Sequence, residues 1–301
     1  MTSKSTVEIE RSNQVFPTQF DYYRPGSVGE AVRYLKEHPD AKILAGGHSL
    51  LPAMKLRLAA PAALVDLNTI SDLRGIRLDG DVRIGAMTTY QQLLDSAELK
   101  ERLPIIHEAA YHLGDPQVHA RGTLGGSLAH ADPAADLTAV VLALNGSVTV
   151  VGASGERSIT AEDLFVDLLT TSLAADEVIT EITIPAVAGR VGMAYLKHRH
   201  PASGYAVVGV AAVLEMGDGD TVKSARIAVT GATSKATRAT AAESALAGQL
   251  LSDETIANAA NAAPEGLELN GDLYASEEYR RHLVTVYTRR AIESAWKQVQ
   301  G

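Results

Sequence analysis

The sequence predicts an α+β protein with more than one domain. Three observations support this class: a strand–helix–strand pattern over residues 41–67, a hairpin around Asp79-Gly80-Asp81, and strand-like segments followed by helices after residue 192. A chain of 301 residues is too long for one small core, so two or three domains are expected.

The first elements follow from capping and breaker residues. Ser27 and Glu30 have the spacing of a capping box, so a helix should begin there and end before Pro39. Residues 41–45 and 63–67 are predicted strands of a small parallel unit, with a helix or turn between them. The polar residues 1–15 are expected to form a flexible tail.

The middle of the chain alternates short strands and helices. Helices are expected to begin at Thr89 and Pro104, and Asp132 is expected to cap a helix that opens with Pro133. The other predicted elements are strands over 74–78, 82–86, 147–151 and 178–184 and a helix over 136–144.

The C-terminal part follows a small, Gly-containing segment at residues 186–192, a candidate domain boundary. It is predicted to be a three-stranded meander covered by helices. The strands are expected at 193–200, 206–215 and 222–229, and the helices at 237–247, 253–263 and 276–299.

Composition excludes several functions. The net charge is -9 and no Lys/Arg cluster stands out, which argues against nucleic-acid binding. The chain has no cysteine, so it holds no disulfide, thiol nucleophile or thiolate-bound metal cluster. The longest apolar run, residues 137–144, is too short for a membrane span, and the N-terminus has no signal core; we expect a cytoplasmic protein.

Two glycine motifs with similar chemistry indicate a phosphate-bearing cofactor. A pyrophosphate needs backbone N–H groups that it can approach closely, and glycine with neighbouring hydroxyls allows this. Either motif alone is more often a structural turn, and neither is a Rossmann or Walker fingerprint. The first motif is Ala45, Gly46, Gly47, His48, Ser49 and Leu50, and the second is Thr123, Leu124, Gly125, Gly126 and Ser127. Downstream, the ionised carboxylate of Asp136 suits a ribose hydroxyl pair.

At these motifs the chain resembles the FAD-binding medium subunits of the molybdenum hydroxylase (xanthine dehydrogenase) family, the aerobic carbon monoxide dehydrogenase type above all. The resemblance covers residues 16–296. Besides the two motifs it includes Leu64-Val65-Asp66-Leu67-Asn68, Ile84-Gly85-Ala86 and residues 131–136, 203–212 and 275–281.

The resemblance implies the domain organisation. It implies a two-lobed FAD-binding domain of the vanillyl-alcohol-oxidase (PCMH) type over residues 16–187, with lobes of about 16–60 and 61–187. A C-terminal domain of the carbon monoxide dehydrogenase flavoprotein type, a three-stranded antiparallel sheet with helices, follows over residues 188–301.

The resemblance also implies how FAD is bound. The two glycine motifs would wrap the pyrophosphate, and Asp136 would meet the adenosine ribose. Gly114 would lie against the flavin or its chain, with Ile179 and Lys197 near the isoalloxazine ring. His48 is a candidate for covalent attachment of FAD, but the resemblance implies noncovalent binding, as is general in this family. No catalytic residue and no metal ligand are expected in this chain; the spacing of His198 and His200 suits a metal, yet no third ligand is near in sequence.

The implied role is that of an electron-transfer subunit. A large subunit with a molybdenum–pterin cofactor would oxidise the substrate, and a small subunit with two [2Fe-2S] clusters would pass electrons to FAD. The whole would be a dimer of heterotrimers. Two alternatives stay open: a self-sufficient FAD-dependent oxidase of the same fold, and a non-enzymatic nucleotide-binding module. The absence of a recognisable substrate base argues against the oxidase.

Overall fold

The structure is a computed structural model that describes residues 16–300; the expected N-terminal tail, residues 1–15, lies outside them. It confirms the α+β class. Within the described residues, no helix has both the length and the apolar character needed to cross a bilayer.

The first lobe contains a three-stranded parallel sheet. Its elements are β1 (Asp21–Tyr23), α1 (Val28–Glu37), β2 (Ala41–Leu44), α2 (Leu50–Lys55) and β3 (Ala63–Asp66), in the strand order β1-β3-β2. Ser27 accepts a hydrogen bond from the Glu30 N–H, as predicted, but the Glu30 carboxylate reaches the N–H of Gly26 rather than that of Ser27.

The boundary between the lobes differs from the expected one at residue 60. Strand β3 belongs to the first sheet, where it pairs with both β1 and β2 in parallel. Its four residues are all buried. Because β1 and β2 are joined only through β3, the first lobe extends past Asp66, into 3-10 turns at Leu67–Thr69 and Ser71–Leu73.

The second lobe is built on a five-stranded antiparallel sheet in the order β4-β5-β10-β6-β7. The predicted hairpin around Gly80 forms its edge. Its strands are β4 (Ile76–Arg77), β5 (Val82–Gly85), β6 (Ser147–Gly152), β7 (Gly155–Thr160) and β10 (Val178–Ile184), and a separate hairpin holds β8 (Phe165–Asp167) and β9 (Thr170–Thr171). Its helices are α3 (Tyr90–Asp95), α4 (Ala97–Arg102), α5 (Pro104–Tyr111), α6 (Pro116–Arg121), α7 (Leu124–His130), α8 (Asp136–Ala143) and α9 (Ala161–Leu164).

The C-terminal part contains the three predicted strands and one short addition. Its elements are β11 (Arg190–Arg199), β12 (Ala206–Met216), β13 (Val222–Thr230), β14 (Thr237–Arg238), α10 (Thr240–Leu246), α11 (Asp253–Ala262) and α12 (Glu277–Gln300). Strand β14 lies where a helix was expected to begin. It pairs with β13, and the Arg238 guanidinium binds Glu243 through two hydrogen bonds. The helix begins at Thr240.

The C-terminal sheet packs on both faces. Met193 and Tyr195 of β11 join the core of the second lobe, whereas the alternate residue Ala194 lies in the core under α10, α11 and α12. This alternation follows from the two-residue period of a strand. The second lobe and the C-terminal sheet therefore share one hydrophobic core.

Candidate cofactor-binding site

The two glycine motifs lie against each other. A Cβ on Gly46 would lie 2.9 Å from the Cα of Gly122 and closer still to the Arg121 carbonyl oxygen, just before the second motif. A Cβ on Gly126 would lie 3.4 Å from the Cβ of Ala45. The turn after β2 and the start of α7 therefore form one continuous surface, which only residues without side chains allow.

The first motif presents free backbone donors. Within residues 16–300, no backbone or side-chain acceptor pairs with the N–H groups of residues 46–50. The carbonyls are held from behind, since Asn68 Nδ2 donates to Ala45 at 3.0 Å and His48 Nδ1 donates to Gly46 at 3.0 Å. Gly47 has a φ of 77°, a conformation that favours glycine. Free N–H groups in such a turn are what an anionic group binds.

The second motif is the first turn of a helix rather than a loop with free donors. Thr123 caps α7 through a bond from the Gly126 N–H, at 3.2 Å. The N–H groups of Leu124 and Gly125 donate to the carbonyls of Thr88 and Ala86 at 3.1 and 2.9 Å. The prediction that both motifs offer the same backbone chemistry is therefore wrong for this one. The second motif contributes a close-packed surface and the hydroxyls of Thr123 and Ser127.

Tyr90 and Ser127 lie together beside the second motif. Burial raises the pKa of Tyr90 to about 12, against the opposing effect of its hydrogen bond with Ser127. Tyr90 also packs on Gly122, because a Cβ there would lie 2.8 Å from a ring carbon of Tyr90. The phenol thus stays protonated at neutral pH and anchors the helix start.

Asp136 and Lys197 form a buried ion pair across the two parts of the chain. Lys197 Nζ donates to Asp136 Oδ2 at 2.9 Å and to the Gly204 carbonyl at 3.0 Å, and the Tyr195 hydroxyl donates to Asp136 Oδ1. Each side chain of the pair is 3% exposed. Burial raises the pKa of Asp136, while Lys197 and Tyr195 oppose that rise.

The pairing brings together two residues for which separate roles were expected. Asp136 was expected at the adenosine ribose and Lys197 near the isoalloxazine ring, which are opposite ends of the cofactor. The contacts of both residues with the cofactor stay predictions. Both oxygens of Asp136 already have donors, and the carboxylate is buried.

The remaining predicted contacts are not brought to the joined motifs by any described interaction. Gly114 is exposed in a turn with a φ of 48°, next to Val118. Ile179 is 6% exposed and belongs to the core of the second lobe. Their contacts with a flavin stay predictions.

The expected cap at Asp132 has a different outcome, and the surroundings of His198 are now defined. Asp132 does not cap a helix; its carboxylate accepts from the Ala134 N–H at 2.8 Å, and α8 begins only at Asp136. The turn is held instead by the Pro133 carbonyl, which accepts from Thr230. His198 packs edge-on against two tyrosine rings, Tyr279 and Tyr287.

Sequence reasoning missed the residues that support the site. Tyr195 lies two positions before Lys197 on the same strand face, so the two-residue period could have identified it. Asn68 lies two residues after the end of β3, but no local pattern shows that its amide reaches Ala45, 23 residues away. Only the parallel pairing of β2 with β3 brings them together.

Two family profiles match most of the chain. The profile described as the FAD binding domain in molybdopterin dehydrogenase matches residues 18–187. The profile described as the CO dehydrogenase flavoprotein C-terminal domain matches residues 193–295.

Similar proteins are known by sequence. The chain is 40% identical to the carbon monoxide dehydrogenase medium chain of Hydrogenophaga pseudoflava, covering 94% of this chain and 99% of that one. It is 41% identical to the nicotine 6-hydroxylase medium subunit of Paenarthrobacter nicotinovorans, covering 91% and 96%.

Solved structures give the same picture. Carbon monoxide dehydrogenase from Hydrogenophaga pseudoflava aligns with a TM-score of 0.91 at 42% identity, covering 94% of this chain and 99% of the other. Quinoline 2-oxidoreductase from Pseudomonas putida 86 aligns with a TM-score of 0.89 at 34% identity, covering 95% and 99%.

Proposed function

Because the chain belongs to the family of FAD-binding medium subunits of molybdopterin dehydrogenases, we propose that it binds FAD noncovalently at the joined glycine motifs and relays electrons within a larger enzyme. Its relatives are subunits of oxidoreductase complexes. The single observation that carries the proposal is the run of N–H groups at residues 46–50 that have no acceptor in the described part of the chain and lie against the start of α7.

These residues fit a pyrophosphate. The N–H groups of Gly46, Gly47 and His48 would donate to phosphate oxygens, and the missing Cβ atoms leave room for a close approach. The Thr123 and Ser127 hydroxyls would add donors from the facing helix. When bound there, FAD would supply the redox chemistry, taking electrons from a donor and giving them to an acceptor. Leu50, Leu124 and the remaining motif residues would line the FAD site. The ion pair of Asp136 with Lys197 would join the FAD-binding domain to the C-terminal part beside the cofactor.

The electron donor and the substrate-binding site belong to other subunits. This chain has no cysteine to hold an iron–sulfur cluster, which supports a partner subunit with two [2Fe-2S] clusters and a large molybdenum–pterin subunit. We propose a cytoplasmic dimer of such heterotrimers that reduces an external acceptor. Relatives of nearly equal identity carry names for carbon monoxide and for nicotine. Carbon monoxide is therefore one candidate substrate among several, and the medium subunit does not determine the substrate specificity.

Co-purification tests this function. A tagged copy of the chain, expressed in its source organism, should isolate with equimolar FAD and with partner chains that contain iron and molybdenum. The chain freed of those partners should not reduce its flavin with an organic substrate. Reduction by the chain alone would establish a self-sufficient oxidase instead, and a colourless chain that gives no difference spectrum with FAD would leave only an interaction module.

A further inference from the structure

We propose that Asn68 is a positioning residue that aims the backbone N–H of Gly46 at the cofactor, and that Asp66 and Tyr22 hold Asn68 in place for this task. The inference rests on the proposed FAD site and deepens it, because it assigns the orientation of that site to three residues outside the two glycine motifs.

The orientation of the Asn68 amide is fixed by its partners. Arg74 Nη2, which can only donate, contacts Asn68 Oδ1 at 3.1 Å. Asn68 Nδ2 therefore faces two acceptors, the Ala45 carbonyl at 3.0 Å and Asp66 Oδ1 at 2.6 Å. Swapping the amide oxygen and nitrogen would place acceptor against acceptor on one side and donor against donor on the other.

The Ala45 carbonyl sets the direction of the next N–H. The Ala45–Gly46 peptide is trans, so its C=O and N–H point in opposite directions. With the carbonyl held inward by Asn68, the Gly46 N–H points away from β3. It has no acceptor within residues 16–300, which is the state expected of a donor reserved for a ligand.

Asp66 fixes Asn68 through hydrogen bonds to its backbone and its side chain. It is 6% exposed, its Oδ1 accepts from the Asn68 backbone at 2.9 Å as well as from the amide, and its Oδ2 accepts from the Tyr22 hydroxyl. Burial would raise the pKa of Asp66, but the bonds from Tyr22 and Asn68 and the charge of Arg24 bring it below the ordinary value.

The network predicts a pH dependence of FAD affinity. As a carboxylate, Asp66 accepts from Tyr22 and from both Asn68 donors with its full negative charge, so the support is strongest above its lowered pKa. It weakens as the pH falls through that pKa and Asp66 takes up a proton. Removing the Tyr22 hydroxyl removes a bond that lowers the pKa, so the loss should begin at a higher pH.

The test compares FAD retention of the tagged chain, purified with its partners, between about pH 7 and pH 3.5. Asn68→Ala should weaken FAD binding at neutral pH by roughly five- to tenfold, the effect of one lost hydrogen bond. Tyr22→Phe should bind FAD more weakly than the wild type at neutral pH, because Asp66 loses one of the bonds that fix it, and it should lose FAD at a higher pH than the wild type. Tyr23→Phe is the matched control, since Tyr23 lies on the same strand and its ring stacks on Tyr34, with centroids 4.3 Å apart, while its hydroxyl makes no hydrogen bond within residues 16–300; its profile should match the wild type.

Each failure has a distinct meaning. If Tyr22→Phe and Tyr23→Phe both follow the wild-type pH profile, or if folded Asn68→Ala binds FAD as tightly as the wild type, the positioning role is wrong. If Asn68→Ala does not fold, the Tyr22→Phe profile decides alone. If the wild-type chain holds no FAD at any pH, the proposed function itself fails.

Discussion

At the scale of single residues, the glycines of the two motifs serve packing as much as ligand approach. Gly46 contacts the backbone at Arg121 and Gly122, and a Cβ on Gly125 would lie 2.6 Å from the Cβ of Ala86. The sequence predicts that these positions need glycine, because two such motifs in one chain favour close approach to a ligand. The sequence does not show that part of the surface lying against Gly46 is the protein's own backbone, at Arg121 and Gly122.

Gly46→Ala should therefore destabilise the fold as well as the site. The added methyl overlaps a backbone that cannot move freely, so we expect a loss of about 1–3 kcal/mol in the free energy of unfolding. Gly29→Ala is the matched control, because among the described residues nothing lies within 4 Å of the added Cβ. In helix α1 it should gain about 0.5–1 kcal/mol. Urea titration measures both; equal effects of the two substitutions would contradict this packing.

Lys197→Met tests the buried ion pair. It leaves the Asp136 carboxylate buried without its cation, so a loss of about 3–5 kcal/mol is expected at neutral pH. The pKa of Asp136, already raised by burial, should rise further. A raised carboxyl pKa destabilises the fold as the pH increases through it, so the loss should shrink as the pH falls toward the ordinary Asp range. The double variant Asp136→Asn with Lys197→Met should recover part of the stability. A penalty that does not change with pH would contradict this account.

At the scale of elements, strand β11 contacts the second lobe with one face and helix α12 with the other. Its Met193 and Tyr195 face the second lobe, and the Tyr195 N–H donates to Glu108 of α5 at 2.8 Å. On the other side Gly192 lies directly against α12. A Cβ there would lie 2.7 Å from the Cγ2 of Val299 and from the carbonyl carbon of Ala295.

Gly192→Ala should push α12 away from the sheet. We expect a cost of about 1–3 kcal/mol from the overlap with the helix backbone, measured by chemical denaturation. Gly217→Ala, in the turn between β12 and β13, is the control, since its added Cβ would have no described neighbour closer than 3.7 Å. It should leave the stability nearly unchanged. A Gly192→Ala protein as stable as the Gly217→Ala protein would show that α12 does not pack as described.

Element boundaries were predictable where a local signal sets them. The caps at Ser27 and Thr89, and Pro104 at the first position of α5, each begin a helix where the sequence places it. The lobe boundary was not predictable in this way, because β3 looks like any buried strand until its parallel partners are known. The Asp132 turn was missed because its Pro133 carbonyl is held by Thr230, 97 residues away.

At the scale of the whole molecule, the shared core joins the second lobe to the C-terminal sheet. Residues from β5, α5, α8 and β10 pack with Met193, Tyr195 and Ala228 in one cluster. Arg226 adds a bond from its Nε to the Ala143 carbonyl at 2.9 Å across the same boundary. Division of the chain into two sequence families therefore does not imply two independent folding units.

The second lobe and the C-terminal part should unfold together. The chain has a single tryptophan, Trp296 in α12, whose fluorescence reports on the C-terminal part alone. Its unfolding transition in urea should coincide with the loss of far-ultraviolet circular dichroism, as two-state behaviour requires. A tryptophan transition clearly separated from the circular dichroism transition would contradict a shared core.

The most direct measurement of the central claim is the FAD content of the purified assembly with wild-type, Gly46→Ala and Gly29→Ala chains. If the joined glycine motifs hold the cofactor, the wild type and Gly29→Ala should retain equimolar FAD, and folded Gly46→Ala should lose most of it. Full FAD retention by Gly46→Ala would place the cofactor elsewhere, and a wild-type assembly whose medium chain holds no FAD would contradict the account altogether.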